Sequence, residues 1–96
     1  MNLRQAIEDL ESLDTDATIV ARRPWSVGSD AKVVAPSMLG PAAPDVRRDG
    51  LEYFLEVSVA REVLEVFGDR TPSEEEKVAC LVFYAENDAF PAWVYP

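Results

Sequence analysis

The carboxylates are the side chains of this sequence best able to do acid–base or metal chemistry, because the chain has no histidine and a single cysteine. Two groups of acids are the candidates for such chemistry: Glu74-Glu75-Glu76, and the pair Glu86 and Asp88. Two carboxylates can share acid–base work or help to hold a magnesium ion. The first group is typical of the beginning of a helix, where the dipole favours acids. Glu86 and Asp88 are therefore the better candidates for a metal-dependent site.

Residue type argues against the other common catalytic arrangements. Without histidine the chain cannot form a Ser-His-Asp or Cys-His arrangement or one of the usual zinc sites. Its four glycines do not have the spacing of a phosphate-binding loop. Cys80 lies among apolar residues that would not lower the pKa of its thiol, so we expect a buried structural cysteine. We predict no metal, no cofactor and no enzymatic activity, and keep a carboxylate- and metal-dependent enzyme or enzyme subunit as the alternative.

A second feature combines guanidinium groups with an aromatic ring. Arg22 and Arg23 precede Trp25 by a few residues. Arginine and tryptophan are enriched at binding hot spots. The same segment is also typical of a strand end followed by a packed tryptophan, and both interpretations stay open.

The charge of the chain restricts its partners. With 18 acidic and 9 basic residues, the formal net charge is −9. Such a chain is repelled by nucleic acid and by anionic membranes, so we predict neither as a partner. The basic residues concentrate in residues 17–48, between two acidic ends. This segment could neutralise the ends across the fold, or an acidic face could be reserved for a basic protein partner.

The N-terminal segment does not resemble a signal peptide, because charged residues interrupt residues 1–12 where an apolar stretch would be needed. No run of the sequence approaches the roughly 20 apolar residues that cross a bilayer. A single cysteine also excludes an internal disulfide. We therefore expect a cytoplasmic protein.

The chain of 96 residues is the size of a single domain, residues 1–96. Helical spacing of apolar residues predicts a helix over 3–12, with Asn2 as its N-cap. Residues rich in β-branched side chains predict short strands over 17–21 and 31–35, joined by a loop. Prolines and glycines predict a flexible loop over 36–50.

Residues 51–67 change their hydrophobic period near Val57. A period of two predicts a strand over 51–56, with Tyr53, Leu55 and Val57 in the core. A helical period then predicts a helix over 58–67. In this interpretation Glu52 and Glu56 remain outside the core.

One continuous helix beginning near Asp49 is the alternative, because Asp49 and Glu52 have the spacing of a capping box. That helix would place Glu56 on its apolar face, and an unpaired buried carboxylate is costly. We therefore prefer the strand.

The C-terminal helix is predicted from Pro72 to about Asn87. Thr71 is the expected N-cap, with Glu74 reaching back to its amide. The expected apolar face contains Val78, Leu81, Val82, Ala85 and Ala89. Cys80, Phe83 and Tyr84 lie off this face, and residues 90–96 form an apolar tail.

The aromatic residues Phe83 and Tyr84, together with those of the tail, suggest an interface with a partner or a second copy. The candidate interface residues are Arg22, Arg23, Trp25, Phe83, Tyr84, Glu86, Asp88, Phe90, Trp93 and Tyr95.

The order of these elements predicts an α+β fold. It comprises an N-terminal helix, a small antiparallel sheet of two or three strands and two C-terminal helices.

Residues 51–57 leading into 60–65 resemble a small bacterial domain family of unknown function. Residues 16–19 and 84–89 extend the similarity over most of the chain. The resemblance implies no active-site residue. In size and charge alone the chain is also similar to immunity proteins, which neutralise toxins by covering them.

Together these features favour a non-catalytic acidic binding protein, either immunity-like or a regulatory adaptor, that contacts a basic protein partner. A homo-oligomeric structural protein, such as a homodimer joined through Phe83, Tyr84 and the tail, is the other alternative to the metal-dependent enzyme.

Overall fold

The computed structural model describes residues 1–35 and 50–95, in which a three-stranded antiparallel sheet carries the helices on one face. The predicted α+β fold is confirmed, whereas the loop predicted over 36–50 lies outside the described residues except for Gly50. The strand order is β2-β1-β3. The elements are α1 (Leu3–Glu8), β1 (Thr18–Arg22), β2 (Ala31–Val34), β3 (Leu51–Glu56), α2 (Val57–Leu64) and α3 (Glu74–Asn87). Short 3₁₀ turns cover Leu10–Ser12, Glu65–Phe67 and Ala92–Val94.

The first helix begins as the sequence predicts. The Asn2 side chain accepts a hydrogen bond from the Gln5 amide at 2.9 Å, and the Gln5 side chain accepts one from the Asn2 amide at 2.8 Å. This reciprocal capping box satisfies two amides at the helix N-terminus. The predicted N-cap is confirmed, and α1 with its following 3₁₀ turn covers the predicted range.

The sheet contains an irregularity that corrects one prediction about the core. Ile19 pairs with Leu55 and Val20 pairs with Tyr53, so Phe54 is an extra residue in β3. Such a bulge places two successive side chains on one face. Phe54 and Leu55 are consequently buried in the main core, while Tyr53 is 52% exposed. The prediction that Tyr53 faces the core is wrong.

The switch from strand to helix near Val57 is otherwise confirmed. β3 ends at Glu56, α2 begins at Val57, and both Leu55 and Val57 are buried. Glu52 and Glu56 are exposed, as expected. The alternative of one continuous helix is wrong because Leu51–Glu56 pairs with β1 along its length.

The last helix begins two residues later than predicted. Ser73 is its N-cap: the Ser73 hydroxyl accepts from the Glu76 amide at 3.1 Å, and the Glu76 carboxylate accepts from the Ser73 amide at 3.0 Å. The prediction of Thr71 as N-cap is therefore wrong. Thr71 and Ser73 are each followed three residues later by a glutamate, but Glu74 pairs with Lys77 at 3.2 Å instead of reaching back.

The buried face of α3 is also rotated from the predicted one. Val78, Cys80 and Leu81 are buried, whereas Val82 and Ala85 are half-buried and Ala89 is exposed. The helix contacts both α1 and α2, so its core face is wider than a single apolar stripe. In the part of the chain that the structure describes, no helix is long and apolar enough to cross a membrane.

Arg61 holds the end of the first helical segment. Its guanidinium donates to the carbonyls of Leu10 (2.9 and 3.2 Å), Glu11 (3.1 Å) and Leu13 (2.6 Å), and to the Thr15 hydroxyl (2.7 Å). The last carbonyls of a helix have no partner within the helix. A single side chain of α2 therefore satisfies the polar groups that follow α1.

We expect Arg61→Lys to lower the free energy of unfolding by about 1–3 kcal/mol, because an ammonium group cannot reproduce the planar fork of donors and leaves carbonyls unsatisfied. Urea denaturation followed by circular dichroism measures the change. Glu62→Gln is the control, since Glu62 is exposed on the same helix; its effect should stay within about 0.5 kcal/mol. Equal stabilities of the two variants would contradict the role given to Arg61.

Burial raises the pKa of the Cys80 thiol. We expect native protein at pH 8 to react with a thiol reagent at least about 100-fold more slowly than protein unfolded in guanidinium, because attack requires an exposed thiolate. The folded state keeps the proton of the Cys80 thiol to a higher pH than the unfolded state does. This thiol's contribution to stability is therefore present below the unfolded pKa of about 8.5 and is lost as the pH rises through the folded value. Equal rates for native and unfolded protein would contradict the burial of Cys80.

Candidate binding face

The loop between β1 and β2, residues 23–30, is closed by a serine. The Ser29 hydroxyl accepts from the Ser26 amide at 2.8 Å and donates to the Pro24 carbonyl at 2.9 Å. The Ser29 amide donates to the Ser26 carbonyl at 3.1 Å. Polar side chains near turns commonly bond to backbone groups in this way. These bonds fix the shape of the segment that carries Trp25.

The same loop is fastened to the N-terminal segment. The amides of Leu3 and Arg4 donate to the carbonyls of Ser29 (2.9 Å) and Val27 (3.2 Å). The Ala31 amide donates to the Met1 carbonyl at 2.9 Å. The free amides in the first turn of α1 thus find their acceptors in the loop. Loop and helix hold each other in position.

Trp25 lies at the inner side of this loop and is only 9% exposed. Its indole N–H donates to the Ala21 carbonyl at 3.2 Å, and its ring meets Phe54 edge-on with 5.0 Å between centroids. The Arg23 guanidinium lies 4.0 Å from the ring centroid, and its Nε is 3.2 Å from the Glu52 carboxylate. A cation over a tryptophan face is attracted by the ring quadrupole. Trp25 is therefore a packed residue that forms the base of a surface, and it does not project from the protein.

Two grooves lie beside Trp25, and both run along α3. We name them the Phe83 groove, of about 450 Å³, and the Tyr84 groove, of about 510 Å³. The Phe83 groove is lined by Trp25, Ser26, Val27, Glu75, Val78, Ala79, Val82, Phe83 and Glu86. The Tyr84 groove is lined by Arg23, Trp25, Tyr53, Phe54, Leu55, Val59, Tyr84, Ala85 and Asp88. Together these residues form what we call the binding face.

The structure brings most of the predicted interface residues to this face. Those that line the grooves are Arg23, Trp25, Phe83, Tyr84, Glu86 and Asp88. Arg22, Phe90, Trp93 and Tyr95 line neither groove. Six of the ten residues thus share one surface, and their role in an interface stays a prediction.

The tail packs back onto its own domain. Phe90 lies against Tyr84 with 5.5 Å between ring centroids, and Trp93 lies 6.1 Å from Phe67. Val94 is fully buried, whereas Trp93 and Tyr95 are 49% and 58% exposed. Part of the aromatic surface that the sequence suggests for an interface is therefore covered within the chain, and the role of the tail in association stays a prediction.

Sequence reasoning missed Val27 and Tyr53 as members of this face. Val27 is an apolar residue in a loop of turn-forming residues, and this sequence pattern is the signal that could have identified it. In the structure its side chain is 36% exposed. Alternation of apolar and polar residues places Tyr53 in the core because this pattern does not reveal the bulge at Phe54. Partial burial and the neighbouring Glu56 carboxylate both raise the pKa of Tyr53.

Glu86 and Asp88 do not converge on one site. Glu86 lines the Phe83 groove and Asp88 lines the Tyr84 groove. Within residues 1–35 and 50–95, no group of three or more Asp, Glu, Cys or His residues is placed to hold a metal ion. The two carboxylates thus line different grooves, and the metal-dependent enzyme stays an alternative.

Both carboxylates lie at the C-terminal end of α3, and neither has an ion-pair partner in the described part of the chain. The helix ends with Asp88 in the left-handed region at φ 52°, where its amide donates to the Tyr84 carbonyl at 2.8 Å. The Asn87 side chain donates to the Phe83 carbonyl at 3.0 Å. The backbone is thus capped, but the negative end of the dipole carries two further negative charges. Arg23, which shares a groove with Asp88, is paired with Glu52 instead.

The positions of the basic side chains explain in part why Glu86 and Asp88 have no ion-pair partner in the described part of the chain. Arg61 and Arg70 donate to backbone carbonyls, so they leave surface carboxylates without partners. Arg23 pairs with the acidic C-terminal half, while Arg22 pairs with Asp30 at 3.5 Å inside the basic segment. Of these two neighbouring arginines, Arg23 thus pairs with an acid of the C-terminal half, and the Arg22–Asp30 pair lies within the basic segment.

No protein-family model, curated protein or solved structure matches this chain. Its resemblance to a bacterial domain family of unknown function therefore stays a prediction.

Proposed function

We propose that this protein is a non-catalytic binding protein that contacts a basic protein partner through the binding face. The observation that carries the proposal is the pair Glu86 and Asp88, two carboxylates at the negative end of the α3 dipole, one at each groove, that have no ion-pair partner within residues 1–35 and 50–95. Each such charge costs about 0.3–1 kcal/mol at an exposed helix C-terminus. Local conflicts of this kind are expected at functional sites. A lysine or arginine of a partner would relieve both.

The surroundings of these carboxylates suit a protein partner. Apolar side chains lie directly beside the charges, including Phe83, which is 39% exposed. Protein interfaces combine an apolar centre with a polar rim. The formal net charge of −9 would also accelerate the encounter with a basic protein. Such a protein would act in the cytoplasm as an immunity-like inhibitor or a regulatory adaptor.

Charge also favours a different protein over a second copy of this one. Two chains of net charge −9 repel each other, and the carboxylates of the binding face would meet like charges in a symmetric dimer. The exposed rings of Trp93 and Tyr95 remain the part of the surface best suited to self-association. They lie outside both grooves.

The destabilisation caused by the carboxylates at the C-terminal end of α3 can be measured in the isolated protein. We expect Glu86→Gln to raise the free energy of unfolding by about 0.3–1 kcal/mol at low salt, because it removes a charge that the helix dipole disfavours. Glu76→Gln keeps the capping geometry at the other end of the helix and should lower stability by a similar amount. Urea denaturation at low and high salt measures both changes. Changes of the same sign, or changes insensitive to salt, would contradict this electrostatic account.

The binding function is tested by affinity purification from the source cells, with quantitative mass spectrometry of the proteins retained. We expect the wild-type bait to retain a basic protein in near-stoichiometric amount, and the Glu86→Lys, Asp88→Lys double variant to lose it. A bait with the matched change Glu62→Lys, Glu65→Lys, at exposed positions of α2 and of the 3₁₀ turn that follows it, has the same net charge and should retain the basic protein. Retention of an acidic partner, or equal losses from the two double variants, would contradict the proposal.

A further inference from the structure

We propose that the Phe83 groove receives an amphipathic α-helix of the partner, with apolar side chains filling the groove and a lysine or arginine pairing with Glu86. This inference rests on the proposed function and adds the form of the partner and its position. Helices commonly bind in apolar grooves through residues spaced i, i+3, i+4 and i+7.

The composition of the groove suits the apolar face of such a helix. Trp25 forms its base, and Val78 and Val82 of α3 lie along it. Val27 and Phe83, on the loop and on α3, are 36% and 39% exposed, so their side chains remain free to contact an occupant. Apolar side chains of a partner would displace water from these surfaces.

The length of the groove matches a short helix. Glu75 and Glu86 both line it and both belong to α3. At a rise of about 1.5 Å per residue these two positions are roughly 16 Å apart along the helix axis, equivalent to about three helical turns. A partner helix packed along α3 would therefore place three or four apolar side chains in the groove.

The hydrogen bonds of the loop favour a helix over an extended peptide. The carbonyls of Pro24, Ser26 and Val27 already accept internal hydrogen bonds. The Ser26 amide is likewise bonded to the Ser29 hydroxyl. An added strand relies on free backbone groups of its host, whereas a helix satisfies its own backbone internally. The loop wall of the groove thus offers mainly side-chain surface.

The two acidic residues of the Phe83 groove, Glu75 and Glu86, differ in their ion pairing within the described part of the chain. This difference determines where the basic residue of the partner would lie. Glu75 is 2.8 Å from the Arg4 guanidinium, which also bonds Glu8 at 2.9 Å. The hydrogen bond to Glu8 and the charge of Glu75 raise the pKa of Arg4, so this cation stays charged. Glu86 has no such partner in the described part of the chain. The partner's basic residue therefore belongs at the Glu86 end.

The test uses a synthetic peptide of about 15 residues with leucines at i, i+3, i+4 and i+7 and lysines on the other positions. A peptide of the same composition with the leucines scrambled is its control. The probe is ¹⁵N-labelled protein, whose two tryptophans give separate indole N–H signals. We expect the patterned peptide to shift the Trp25 signal and to leave that of Trp93 in place, because only Trp25 lines the groove.

Affinities measured by fluorescence anisotropy then identify the contacts. Phe83→Ser and Val27→Ser should each weaken binding of the patterned peptide at least tenfold. Tyr95→Ser, which removes a more exposed ring outside both grooves, should not. Glu86→Gln should weaken binding more than Glu65→Gln, which removes an exposed charge on the 3₁₀ turn after α2.

Three results would overturn the inference. Equal binding of the scrambled peptide would show attraction by charge alone, leaving the proposed function standing without the groove. A Trp25 signal that shifts on dilution of the protein itself would assign the groove to a second copy. Failure of the patterned peptide to bind, while the purification retains a basic protein, would refute the helical mode. If the purification retains no basic protein either, the proposed function fails with it.

Discussion

The burial of Trp25 is the interaction on which the surface of this protein depends. The indole ring is held by the Ala21 carbonyl, by the edge of Phe54 and by the Arg23 guanidinium, so three separate contacts fix one side chain. A large aromatic ring contributes more buried area than any other residue type. Because the ring lies beside α3, the surfaces to either side of it become the two grooves. Changing this ring would alter both grooves together.

The N-terminal helix shows how tertiary contacts support a short element. Leu3–Glu8 is too short to be stable alone, since isolated helices need about 12–15 residues. Its first amides donate to carbonyls of the 23–30 loop, and the carbonyls that follow it accept from Arg61. Both ends are thus satisfied by segments distant in sequence. The helix in turn holds the loop that carries Trp25, so the site and the fold share the same hydrogen bonds.

The sequence predicted those features that depend on neighbouring residues. Asn2 as N-cap, the two hairpin strands and the switch near Val57 all follow from local spacing. Tyr53 was misplaced because a bulge inverts alternation without leaving a pattern in the sequence. The start of α3 was misplaced because Thr71 and Ser73 offer equivalent capping boxes, and packing decides between them. The grooves combine residues from three elements (β3, α2 and α3) and the loop between β1 and β2, which local patterns cannot assemble. The unfavourable position of Glu86 and Asp88 could be predicted, since it depends on the direction of one helix.

The contacts of Met1 and Asn2 with the 23–31 segment have a consequence for aggregation. A strand at the edge of a sheet presents free backbone groups to which another molecule can add. At the beginning of β2, Asn2 bridges Asp30 and the Ala31 amide is bonded to Met1, so part of this edge is already paired. At the opposite edge, β3 carries the bulge at Phe54, which interrupts the regular spacing that an incoming strand would need. Both outer strands of this small sheet are therefore poor templates for cross-β growth. Contacts with other molecules are then expected on the helical side of the protein, where the two grooves lie.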